Sequence, residues 1–201
     1  QAGSKVYVET TSISLSMTDR DDSGLLAKRF PPLRGAAARE ALWDGVRENI
    51  VDTFGTDNIT ETLAGTRVQE GMWRARGGFT ALGTHLPVLL HEGYHRRGIP
   101  LETLVEKGST NPARIFGVHP RKGSLQVGSD ADLVVVDLNR ERKVDHRRLH
   151  SFGDFSPYNG RKLRGWPVAT VKGGRVAVEN GKLRTQPGSG SYLRRSLTPG
   201  I

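Results

Sequence analysis

The hydrophobic spacing of this chain changes period near Gly117, and that change limits the architectures open to it. Before Gly117 short apolar runs alternate with helical patterns. Residues 5–9 form a β-like run, followed by alternating Ile13, Leu15 and Met17. A loop over residues 21–34 ends in Pro31-Pro32-Leu33-Arg34, where the paired prolines hold the backbone extended. Residues 35–49 predict a helix, with Ala38, Ala41, Leu42 and Val46 at helical spacing. Residues 50–54 predict a short buried strand ending in Gly55-Thr56-Asp57-Asn58, and a polar loop then runs to Gly78. A second helix is expected over residues 82–97, a third from Leu101, and a fourth with Asn111 as its cap and Pro112 in its first turn, stopping at Gly117. Strand, helix, strand, helix is the grammar of an α/β barrel or a layered sheet.

After Gly117 the runs are short and β-like, at residues 124–127, 131–137, 168–172 and 175–179. Gly173-Gly174 between the last two signals a two-residue hairpin, and Asn180-Gly181 a further tight turn. A second, all-β unit is expected here. Residues 185–201 read as a tail that lies on a neighbour rather than in a core.

Composition removes several function classes. With no cysteine in 201 residues, a disulfide scaffold, a Cys-ligated zinc site, a Cys nucleophile and an iron–sulfur cluster are excluded. No apolar run approaches the ~20 residues of a membrane span, and no signal-peptide pattern opens the chain, so no membrane partner and a cytoplasmic location are expected. The first residue is Gln1, which suggests processing or truncation. The 30 basic residues exceed the 21 acidic ones, giving +9, but they are scattered, and the 6% aromatic content offers no stacking platform. A solvated basic surface with no nucleic-acid partner is the expectation.

Two patterns carry possible chemistry. His91-Glu92-Gly93-Tyr94-His95 places two imidazoles four apart, so that on a helix they share a face, can ligate zinc and leave the glutamate as general base. The extended protease pattern then fails. Leu101 stands where a third histidine belongs, and the only methionines, Met17 and Met72, lie upstream. Gly93 also weakens the helix. The plain alternative is a solvent-facing stretch at a helix end. The second pattern is Gly55-Thr56-Asp57-Asn58 at the end of a buried strand, where a carboxylate can bind a metal and accept a proton from activated water. An ordinary turn or cap is its alternative. Gly77-Gly78, Asn111-Pro112 and Ser129-Asp130-Ala131-Asp132 read as a loop, a helix start and a turn.

Six segments stand in order along the chain: Lys28-Arg29-Phe30-Pro31-Pro32-Leu33-Arg34, Gly55-Thr56-Asp57, Leu86-Pro87-Val88-Leu89-Leu90, Asn111-Pro112-Ala113-Arg114-Ile115-Phe116-Gly117, the run from Lys122-Gly123 to Ala131-Asp132-Leu133, and Gly165-Trp166-Pro167. Together they resemble the C-terminal half of the cyclic amidohydrolases, the group of hydantoinases, dihydropyrimidinases, allantoinases and dihydroorotases. The run from Lys122 is the most specific of them. The resemblance implies an α/β fold, the C-terminal part of a metal-dependent (β/α)8 TIM barrel over residues 1–117, part of a small β-sandwich over 118–184, and the tail over 185–201. It implies hydrolysis of a cyclic amide C–N bond in a small cyclic amide or ureide. By the same resemblance Asp57 is a metal ligand and the general base, while the backbones of Phe30 and Gly77 hold the substrate's imide. Asn58 stands where a histidine is common, and His91 to His95 falls on an outer barrel helix.

The resemblance also implies a divalent metal, with zinc as the expected ion. Its other ligands, a His-x-His pair, a bridging carbamylated lysine and two further histidines, are expected upstream of this chain. One carboxylate does not hold a catalytic zinc, which takes three protein ligands. The chain is therefore expected to be inactive alone, and to work as part of a full-length, homo-oligomeric enzyme. The alternatives are an amidohydrolase-like scaffold or assembly protein without catalysis, and a zinc protease built on His91 and His95.

Overall fold

β1 (Glu9–Thr11) and β2 (Thr53–Gly55) lie side by side and parallel, with Glu9 opposite Thr53 and Thr11 opposite Gly55, in a computed structural model that describes residues 5–195. A parallel pair needs a crossover, and helices α1 (Ser12–Ser16) and α2 (Ala36–Arg47) supply it. β1 begins where the expected run ends, and Ile13 and Leu15 fall in a helical turn rather than a strand. Thr11 caps that turn by accepting the Ser14 N–H, and Ser16 returns its hydroxyl to the Ser12 carbonyl at 2.8 Å. Serine and threonine compete for backbone partners in this way, which breaks a strand at the first opportunity.

The expected second helix is a continuous helical stretch, α4 (His85–Leu89) widening into π-type turns over Leu90–His95. It is apolar on two sides. Val88 enters a core with Ile13, Met17, Phe79, Tyr158 and Trp166, while Leu89 and Leu90 enter another with Leu15, Trp43, Val46, Phe54 and Leu104. Trp43 is fully buried and donates its indole N–H to the Leu15 carbonyl at 2.8 Å, fixing α2 against α1.

Asn111 does not cap a new helix. α5 (Leu101–Val105), π-type turns over Glu106–Thr110 and α6 (Asn111–Ile115) run on without a break, and the Asn111 amide donates to the Asp52 carbonyl beside β2. Pro112 has no N–H and its ring crowds the preceding turn, and the wide turns just before it accommodate both effects. α3 (Leu63–Thr66) is a single turn in the polar loop.

Downstream, β3 (Leu133–Lys143), β4 (Lys162–Lys172), β5 (Arg175–Glu179) and β6 (Lys182–Leu183) form one antiparallel sheet in sequence order. Gly173-Gly174 makes the expected hairpin between β4 and β5, and Asn180-Gly181 turns into β6. The β3–β4 register slips between Val135 and Val136, beside Pro167, which has no N–H to offer the ladder. No strand forms over residues 124–127, where Leu125 and Val127 are exposed. That run gives way to a loop closed on Lys122, whose ammonium bonds Asp130 at 2.8 Å and also Asp132, and Asp132 accepts the Gly173 N–H. No described helix is long and apolar enough to cross a membrane. The expected tail is exposed as far as residue 195, and its remainder lies outside the described residues.

Candidate functional site

The C-terminal ends of β1 and β2 open onto a cavity of about 550 Å³. Asp57 stands two residues past β2 with a left-handed backbone (φ 50°). Its carboxylate is 40% exposed, and Oδ2 lies 3.3 Å from an Arg29 guanidinium nitrogen. Arg29 itself is buried, and its other terminal nitrogen donates to the hydroxyls of Thr11 and Ser14. The cap at the start of α1 therefore doubles as an anchor for a cation. Glu9, one strand over, packs its carboxylate against Gly55, where any Cβ would collide with it.

Phe30 follows Arg29 in the chain and is exposed at the cavity. Gly77 packs on the Lys28-Arg29 backbone from another loop. A Cβ there would sit 3.1 Å from the Lys28 carbonyl oxygen, a tight contact that glycine avoids, and the Gly78 N–H donates to that carbonyl. The Lys28 ammonium donates to the carbonyls of Met72 and Ala75, which ties the rest of the loop down. Asp57 thus meets the guanidinium of Arg29, Phe30 follows Arg29 in the chain, and Gly77 packs on the Lys28-Arg29 backbone, so segments distant in sequence meet at these two residues.

Asn58 faces away from this group. Its Oδ1 accepts the N–H groups of Ala81 and Leu82, and its amide donates to Thr60, so the side chain braces the turn before α4. His85, at the start of α4, contacts the Ser12 hydroxyl at 3.0 Å, and burial pushes its pKa down to about 4.

The second sequence pattern has a different use. Glu92 is buried and paired with Arg97 at 2.7 Å and with Arg96 at 3.1 Å. His91 Nδ1 accepts the Arg164 N–H of β4, and His95 donates to the Leu138 carbonyl of β3. The stretch is therefore not solvent-facing, as the plain reading expects. It is the seam between helix and sheet, with Glu92 in ion pairs and one ring nitrogen of each histidine bonded to a strand. Among the described residues no group of three or more His, Asp or Glu side chains stands ready to hold a metal ion. Asp57 fits as one oxygen ligand, and the described residues supply no others to complete a site.

Sequence reasoning singled out Asp57 but not Arg29, Thr11 or Ser14. The one signal for Arg29 is that it is the second of two adjacent charges, Lys28-Arg29, set between apolar Leu25-Leu26-Ala27 and Phe30-Pro31.

The description "Amidohydrolase family" applies to residues 5–177. The L-hydantoinase of Paenarthrobacter aurescens is 35% identical over 199 residues, covering 96% of this chain and 43% of that protein. The allantoinase of Rubrobacter xylanophilus is 39% identical over 196 residues, covering 96% of this chain and 42% of that protein. Among solved structures, an L-hydantoinase (dihydropyrimidinase) from Arthrobacter aurescens superposes with a TM-score of 0.86 at 35% identity, over 90% of this chain and 41% of that one. A dihydropyrimidinase from Brevibacillus agri gives 0.88 at 28% identity, over 95% and 43%. The chain spans about two fifths of the length of these relatives. Agreement in sequence over nearly every described element, and in backbone course with those structures, means that this chain belongs to the amidohydrolase family.

Proposed function

We propose that this chain is the C-terminal part of a metal-dependent hydrolase that opens a small cyclic amide or ureide at a C–N bond, in the manner of a hydantoinase or dihydropyrimidinase. The observation that carries the reading is that Asp57 and Phe30 line the cavity at the ends of the parallel pair β1 and β2, with Gly77 packed on the adjoining Lys28-Arg29 backbone, in a chain whose relatives are named hydantoinase and allantoinase. In this reading residues 1–117 belong to a (β/α)8 barrel and 118–184 to a β-sandwich, with 185–201 as a tail between subunits of a homo-oligomer. The parallel pair with its helices and the antiparallel sheet β3 to β6 support that division.

Asp57 would supply one ligand to a divalent metal, zinc in our reading, with the other ligands coming from the rest of the protein, and the chemistry supplied there would be polarisation of the ring carbonyl and a lowered pKa for water. Asp57 takes the proton of the attacking water and hands it to the leaving ring nitrogen. The backbone groups of Phe30 and Gly77 hold the imide in register with it, on loops pinned by Lys28.

The test uses the whole protein, assayed for ring opening of hydantoin, dihydrouracil and allantoin. Turnover of at least one is expected. Asp57→Asn should lower kcat/KM by about 10²–10⁴-fold, the range for a positioned proton-transfer group, with an unchanged circular dichroism spectrum. Activity near wild type in that variant overturns the assignment.

A further inference from the structure

We propose that Arg29 is a positioning residue for this reaction, holding the Asp57 carboxylate in the orientation in which it works. The inference rests on the reading of Asp57 as the working carboxylate. Asp57 sits on a left-handed backbone beside an open cavity, and among the described residues its side chain has one polar partner, the Arg29 guanidinium at 3.3 Å. That contact restricts the rotamers of the carboxylate in addition to any metal bond it makes, and a proton acceptor must be held within a fraction of an ångström of its working place.

The guanidinium is built to be stationary. It is buried, and its second terminal nitrogen is held by the Thr11 and Ser14 hydroxyls, which also contact each other at 3.0 Å in the cap of α1. The cap is continuous with β1, so Arg29 transmits the rigidity of the strand end to Asp57 across the mouth of the pair. The third nitrogen, Nε, is buried without a partner among the described residues. A side chain placed only to satisfy its own hydrogen bonds does not leave one unpaired. The arrangement favours reach to Asp57 over full pairing, and the two terminal nitrogens do the work.

That geometry makes a specific prediction. Because Nε takes no part, free guanidinium can replace the side chain, whereas a lysine ammonium cannot bridge the hydroxyls and Asp57 at once. In the whole protein, Arg29→Ala should lower kcat by about 10²-fold, the scale of a small misplacement of a reacting group, with KM little changed and metal content by mass spectrometry at the wild-type level. Low, non-denaturing guanidinium should restore part of that kcat, and should do nothing for Asp57→Asn. Arg29→Lys should recover less than guanidinium does.

A folded Arg29→Ala protein with wild-type kcat, or one that guanidinium does not rescue, overturns the proposal. So does loss of metal from that variant, which would place the effect on ligand binding. If Arg29→Ala does not fold, Thr11→Val removes one anchor and should lower kcat in the same direction, and an unchanged kcat there is equally decisive. Activity retained in Asp57→Asn instead removes the reading beneath the proposal. An inactive Asp57→Asn beside a fully active Arg29→Ala removes the positioning role alone.

Discussion

His85 shows how far one half-buried side chain can set the behaviour of this fold with pH. Its imidazole is half-buried against the fully buried Ser12, and loss of solvation holds its pKa near 4, below the ordinary 6.5. Between those two values the unfolded chain binds more protons than the folded one. The stabilising contribution is therefore complete above pH 6.5, falls as the pH drops through the window and levels off below 4. Thermal melting of the wild type against His85→Asn should show this part of the slope lost in the variant, and parallel curves would refute it. At this scale the sequence was readable where a residue marks a strand end, as Asp57 does. It was not readable where the role depends on a partner elsewhere in the chain. Arg29 gains its place from Thr11 and Ser14, eighteen and fifteen positions away, and no local spacing announces that.

Among the elements, the helix of α4 and its π-type continuation decides most, because it is packed on both sides. Gly93 is the tightest point. A Cβ there would lie 3.0 Å from the Trp43 ring and 3.1 Å from Leu104, and the ring cannot retreat because its N–H is held by Leu15. Alanine gains roughly 1 kcal/mol in a helix interior, but overpacking a filled core costs about 1–3 kcal/mol. Gly93→Ala should therefore destabilise the protein by about 1 kcal/mol in urea unfolding, and a more stable variant would show that Trp43 can move. The glycine that weakens a zinc-binding helix on paper is thus the residue that lets α2 and α4 meet. Hairpins and long helices were legible from their turn residues and apolar spacing. The run at 124–127 was not, because its apolar residues have no sheet to join and Lys122 closes the loop on Asp130 and Asp132 instead.

For the whole molecule, the open edges matter most. β1 and β2 pair only with each other among the described strands, and β3 is the outer strand of its sheet with Leu133, Val134 and Val135 partly exposed. Unpaired edges with apolar residues recruit other chains. The 201 residues expressed alone should self-associate, read by light scattering as masses above the monomer. A monodisperse monomer would show that the edges are harmless as they stand. Sequence by itself determined the family, the change from α/β to β texture and the carboxylate at a strand end, because motif order, periodicity and turn residues are local properties. Only the tertiary structure decided that Arg29 faces Asp57, that His91 and His95 bind strands rather than an ion, and that Asn58 braces a turn. Those roles depend on which surfaces meet when the chain buries its apolar faces, and burial is a property of the whole fold.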